Sequence, residues 1–200
     1  MTAEITVTPL DTQDGRPPTV VPVGPFGAAV ARALRAGPTR FPTADAPPRL
    51  HGPVVLSAWR FSRALAREID THPDVPWWLP VVSIHPVIQM GPVFGKGLPG
   101  CHECLETRLL ALEARPEYTT ALWDLYDAAP ASGPTGFLEH HATVAAGLVE
   151  ALLAERPGPA RSLYTYDVLA GDVVRHTFVP LATCPRWQVR PGQADVRGEA

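Results

Sequence analysis

Three short apolar runs separated by helix-like stretches constrain this 200-residue chain more than any other feature. Residues 19–23, 53–57 and 78–84 are apolar almost without interruption. They are too short for helices and read as buried strands. After the first, Gly24-Pro25-Phe26-Gly27 turns into a helix expected to run to Ala36, with Phe26, Val30 and Leu34 on one face; Gly37-Pro38 ends it. After the second, Phe61, Leu65 and Ile69 stack at the same spacing. Strand, helix, strand, helix, strand is the order of a parallel sheet with right-handed crossovers. Residues 87–94 read as a fourth strand that continues or pairs with the third.

Helices are expected from His102 to Ala114 and from Tyr118 to Tyr126, with a break at 129–134. The strongest helix covers 136–155, with Phe137, His141, Val144, Leu148 and Leu152 along one stripe. Strands at 162–170 and 173–179 close the chain, joined by a two-residue turn at Gly171-Asp172. The resulting organisation is a loose arm at 1–18, one α/β domain at 19–187 and a polar tail at 188–200. Residues 38–52 carry four prolines and read as a loop.

All three cysteines fall in two runs, Pro99-Gly100-Cys101-His102-Glu103-Cys104-Leu105 and Thr183-Cys184-Pro185-Arg186-Trp187. Two thiolates three residues apart can hold one tetrahedral ion from a tight turn, and a second knuckle normally closes the site. Here Trp187 stands where a fourth thiolate would be. Cys101, Cys104 and Cys184 are therefore candidate ligands for a structural zinc whose fourth ligand is a histidine, a carboxylate or water. His176, eight residues before Cys184, is one candidate for that place. His102, inside the turn, reads as solvent-facing. The competing reading is three unrelated buried thiols. A redox dithiol fits less well, because a Gly/Pro-rich loop and not a strand precedes Cys101.

A net charge of -3 argues against a generic nucleic-acid binder. No stretch reaches the roughly 18 apolar residues of a membrane span. The polar start lacks the pattern of a signal peptide, and an odd cysteine count fits a reducing cytoplasm. An apolar fraction of 46% suffices for a core.

The first strand–turn–helix occupies the place of a phosphate loop. With Gly27 aligned to the last glycine of G-x-G-x-x-G, Gly24 takes the second position and Pro22 the first. Pro22 and Pro25 each remove a backbone N–H, so the loop is a poor anion cradle and Gly24 and Gly27 read as packing glycines.

Residues 19–187 resemble the ubiquitin-activating-enzyme-like superfamily that includes ThiF, MoeB and HesA. The resemblance rests on the run from Val23 to Gly37, the stretch Pro53 to Ile69, and Pro80 to Cys104 with its Gly91-Pro92 and first knuckle. The run from Tyr164 to Trp187 is similar to the final strand pair and Cys-Pro knuckle of a degenerate subgroup found in gene clusters for azole- and azoline-containing peptides. In that subgroup such a protein partners a YcaO cyclodehydratase. The resemblance implies an α/β, Rossmann-like fold with a mainly parallel sheet, flanking helices and a C-terminal β-hairpin. It also implies a homodimer.

Departures from the active family are concentrated at its chemistry. Asp45 is the only acid between Gly37 and Glu68, and no lysine precedes Lys96. The turn where the family presents its magnesium-binding Asp reads Ser57-Ala58-Trp59. Adenylyl transfer runs on positioning and charge neutralisation, so losing these groups together should abolish it. The expectation is a pseudoenzyme that binds no ATP: a scaffold subunit in ribosomal-peptide modification, contacting a YcaO-type or other tailoring enzyme, the precursor peptide, or both. The alternatives are a small adenylating enzyme acting on a peptide or carrier-protein terminus and, further off, a dinucleotide-dependent oxidoreductase. Relatives often carry a winged-helix module for the leader peptide. Eighteen residues before the first strand do not accommodate one, so leader capture is expected on another subunit or at a sheet edge.

Other residues read as structural. His85 lacks a nearby partner, His140 and His141 point about 100° apart on a helix, and His141 shares the apolar stripe. Trp59, Trp77, Trp78 and Trp123 read as core or interface aromatics, with Trp77-Trp78 partly exposed.

Overall fold

The computed structural model describes residues 18–34, 50–129, 136–154, 161–184 and 186. The expected arm, the Gly37-Pro38 stop, most of the loop at 38–52, the break at 130–134, Trp187 and the tail lie outside these residues.

Strand β1 (Thr19–Val23) leads into helix α1 (Gly24–Ala33), followed by β2 (Val54–Ala58), α2 (Arg63–Thr71) and β3 (Trp77–Ile84). β1, β2 and β3 pair in parallel, with Val21, Leu56 and Pro80 in register. Side chains alternate across this sheet. Val20, Val55, Leu79 and Val81 join the core under α1, while Val21, Val54, Leu56 and Trp78 join the core on the other face. Both faces are covered, so the strands are apolar on both sides and lack a polar alternation.

The chain turns back at 85–86, and every later pairing is antiparallel. β4 (Val87–Met90) lies against the second half of β3, β6 (Ser162–Asp167) against β4, and β7 (Val173–Thr177) against β6. The sheet order is β1-β2-β3-β4-β6-β7. The α/β, Rossmann-like class and the C-terminal hairpin are as expected, and the parallel part is the β1–β3 half.

The fourth expected strand is two. Gly91, at φ +87°, bends the chain after β4 and donates its N–H to the Pro80 carbonyl at 2.8 Å. A short β5 (Phe94–Gly95) then pairs with the first residues of β3. The hairpin turn is also longer than two residues. The Asp167 carboxylate accepts N–H bonds from Leu169 at 2.9 Å and Ala170 at 3.0 Å, which shapes a five-residue turn closed by Gly171 at φ +77°. These two bonds hold the Asp167 carboxyl below its ordinary range.

Helices α3 (His102–Leu110) and α4 (Pro116–Ala128) lie with α2 on one face, and α5 (Glu139–Ala154) lies beside α1 on the other. Phe26 meets Phe137 edge-on at 5.6 Å, which ties α1 to the chain entering α5. Among the described residues, no helix is long and apolar enough to cross a membrane.

Candidate functional site

Cys101, Cys104 and Cys184 come together although 83 residues separate the first from the last. Cys101 sits at the N-cap of α3, and its carbonyl takes the N–H groups of Cys104 at 3.1 Å and Leu105 at 3.3 Å. The turn needs Gly100 at φ +85°; a Cβ there would lie 2.5 Å from the Phe178 ring. Phe178 thus rests on the loop and brings the segment that carries Cys184 toward it. Arg108 of α3 donates to the carbonyls of Val179 at 3.2 Å and Pro180 at 3.4 Å. Arg186 pairs with Asp70 of α2, whose other oxygen accepts the Trp78 indole N–H at 2.8 Å.

The Cys101 sulfur lies 3.7 Å from each of the other two, and the three are buried and within 4.8 Å of one another. None is in a disulfide. Zn–S bonds of about 2.3 Å in tetrahedral geometry place sulfurs about 3.8 Å apart, so the observed spacing fits a zinc ion. Burial pushes the Cys101 thiol up to about 12, with the neighbouring thiols adding to the shift. A cation would reverse that by binding the thiolates.

Among the described residues no histidine or carboxylate joins the three sulfurs. His176 stands on exposed β7 and meets the Thr165 hydroxyl at 2.8 Å, across the hairpin. Trp187 lies outside the described residues. His102 is not solvent-facing: it is 4% exposed and sits among Phe61, Trp78 and Phe94, with ring centroids 5.1 to 6.3 Å away. Burial lowers its pKa to about 4. The α3 start turns it inward because Cys101 and Cys104 occupy the adjoining positions of the same buried surface. Trp78, expected to be partly exposed, is 1% exposed for a similar reason: its indole fills the space beneath α2 and α3.

The glycine turn is filled by protein. A Cβ at Gly27 would lie 2.2 Å from the Ser57 carbonyl oxygen, so α1 approaches the β2 backbone itself. Gly24, at φ +70°, faces Trp59, and a Cβ there would lie 2.1 Å from the indole Cδ1. The Trp59 side chain packs directly on the turn at Gly24. Pro25 stands in the first turn of α1 and supplies no N–H.

Beside Trp59 lies a polar cluster that sequence inspection misses. Arg60 is 5% exposed, pairs with Asp127 of α4 at 3.4 Å, and has its guanidinium 5.7 Å from the Trp59 ring and 5.8 Å from the Tyr126 ring. Asp127 also accepts the Ser62 hydroxyl at 3.2 Å and the Ala64 N–H at 3.0 Å, capping α2 from another helix. Arg63 meets Glu106 at 2.6 Å and Asp124 at 2.8 Å. The available signal was on α4 alone, where Asp124 and Asp127 are three apart and lie on one face.

Arg60 and Trp59 border a cleft of about 620 Å³ at the carboxyl ends of β2 and β3, lined by Phe61, Trp123, Tyr126 and Phe137 among others. A second cleft of about 490 Å³ shares Ser83, His85, Gly136 and Phe137 with it and adds His140 and His141. His141 is buried against Tyr166; burial, then the His140 and His85 charges, lower its pKa.

No family model matches this sequence, and no curated protein matches it. Solved structures do resemble it. A chain of the E. coli microcin synthetase McbBCD complex with pro-MccB17 bound superposes with a TM-score of 0.55 at 12% identity, over 86% of this chain and 71% of that one. The heterocyclase TruD gives 0.54 at 19% identity, over 84% of this chain and 27% of its own. A chain of the E. coli microcin synthetase McbBCD complex in another structure gives 0.52 at 15% identity, over 66% and 52%. The present chain therefore spans about half of that McbBCD chain and about a quarter of the heterocyclase. At these identities the likeness is one of fold.

Proposed function

We propose that this chain is a catalytically silent scaffold subunit in the modification of a ribosomally made peptide, binding a YcaO-type or other tailoring enzyme, the precursor peptide, or both. The fold it has in common with microcin synthetase and heterocyclase chains supports the pathway. The observation that supports the silent role is the Trp59 indole packed on Gly24, which crowds the turn that would face a nucleotide's phosphates. The sequence around it supplies neither the acid nor the lysine that adenylation uses. Zinc on Cys101, Cys104 and Cys184 is proposed as a structural ion joining α3 to the chain's end. Two copies are proposed to pair, which light scattering at micromolar concentration tests by giving twice the chain mass. ATP–pyrophosphate exchange tests the silent role. No exchange is expected from the isolated protein with any candidate peptide, and robust exchange would replace this reading with an adenylating enzyme.

A further inference from the structure

The carboxyl-end face carries a binding site that the scaffold reading does not specify. Arg60 borders the larger cleft and is 5% exposed, yet its Nε has no hydrogen-bond partner. Its ion pair among the described residues is long, 3.4 Å to Asp127, and that carboxylate also serves Ser62 and the α2 N-terminus. A guanidinium has five donors, and leaving buried donors unmet is costly. Trp59 and Tyr126 hold it by their rings and supply no acceptor toward the cleft. Such an arginine is prepared for a carboxylate.

The surroundings narrow the ligand. Among the described residues the two clefts' other ionisable lining is His85, His140, His141, Glu113 and Tyr126, so Arg60 is the one group there that is always cationic. The walls are aromatic, and the rim carries exposed Ile84, Leu122, Leu138 and Leu169. Exposed apolar rims of this kind mark surfaces covered by another polypeptide. The two clefts, of about 620 and 490 Å³, adjoin through Ser83, His85, Gly136 and Phe137, so the aromatic wall and the apolar rim border one groove. A nucleotide is disfavoured by Trp59 over the glycine turn.

We propose that this groove binds a segment of another polypeptide, taking the carboxylate of an internal Asp or Glu on Arg60 and an adjacent aromatic side chain against the ring-lined wall. The proposal stands on this face and not on the silent-scaffold reading, which pyrophosphate exchange decides separately.

The test is NMR titration of the full-length, ¹⁵N-labelled protein with three blocked tetrapeptides: acetyl-Gly-Asp-Phe-Gly-amide, its Asn-Phe analogue and its Asp-Ala analogue. The Asp-Phe peptide should shift the indole N–H signals of Trp59 and Trp123 and the Arg60 Nε–H, saturating at millimolar concentration. The other two should bind at least threefold more weakly. Arg60→Gln should remove the preference for Asp over Asn. If that variant does not fold, the peptide comparison on the unaltered protein decides alone. Equal binding of Asp and Asn peptides, shifts confined to the β7 edge, or no saturation by about 10 mM would overturn the proposal. So would equally tight binding of N-acetylphenylalanine, which would make the site one for chain ends or small acids.

Discussion

Replacing Gly27 with alanine separates a packing turn from a phosphate cradle by the sign of its effect. In an open helix, Gly→Ala stabilises by about 1 kcal/mol, because alanine loses less backbone entropy. Gly27 lies inside α1, and its φ is not in the left-handed region, so backbone strain adds nothing. The new Cβ would sit 2.2 Å from the Ser57 carbonyl oxygen and 3.2 Å from the Pro22 carbonyl carbon. Both are backbone atoms of the parallel sheet, with no rotamer to give. The helix must lift by more than 1 Å, away from the core that Phe26, Ala29 and Val30 share with α5. Overpacking of this kind costs about 1–3 kcal/mol, and the upper end applies where the obstacle is backbone. The net expectation is a loss of about 1–2 kcal/mol, or a Tm lower by roughly 2–8 °C for a chain of this size.

Gly147 provides the internal control. It lies in α5, exposed, with nothing within 4 Å of the added Cβ. Gly147→Ala should stabilise by about 0.5–1 kcal/mol. Thermal unfolding followed by circular dichroism, with urea titration at 25 °C, measures both variants. A Gly27→Ala protein as stable as Gly147→Ala would refute the close approach of α1 to β2. The turn would then have room for a ligand.

Three further outcomes follow from named contacts. Protein purified without chelator should contain zinc by elemental analysis, and Cys104→Ser should lose it; zinc-free protein that stays fully folded would return the cluster to plain packing. Asp127→Ala should destabilise by about 3 kcal/mol in urea titration, because it strands the buried Arg60 charge and uncaps α2; a change under about 1 kcal/mol would remove Asp127 from the α2–α4 junction. Asp167 should titrate below its ordinary 3.8, read from the Leu169 and Ala170 amide shifts. Its folded-state pKa is depressed, so the turn it stabilises is intact above that ordinary value and is lost as pH falls through the lower one. A midpoint at or above 3.8 would contradict the two N–H bonds.

Legibility followed sequence distance. β1, α1, β2, α2 and β3 were readable because each declares itself within ten residues and the strand–helix alternation fixes their order. The three thiols were readable as a set because cysteine is scarce and its spacing is specific. His102 was misplaced because its cage comes from Phe61, Trp78 and Phe94, on three other segments, and nothing local encodes that. Arg60 and Asp127 are 67 residues apart, and each alone reads as a surface charge. Residues 87–94 passed for one strand because Gly91-Pro92 can continue or bend; the bend is set by tertiary contact, with Gly91 held close to the Ser162 carbonyl of β6.

The central claim is that this chain serves peptide modification without performing an adenylation of its own. Reconstitution tests it most directly. A YcaO-type enzyme from the same source is incubated with its precursor peptide and ATP, with and without this chain, and the peptide is followed by mass spectrometry for loss of one water per ring formed. The account predicts that dehydration is at least tenfold faster with the chain present, and that the Gly24→Ala protein, if folded, supports it equally well. Dehydration at the same rate without the chain would contradict the claim.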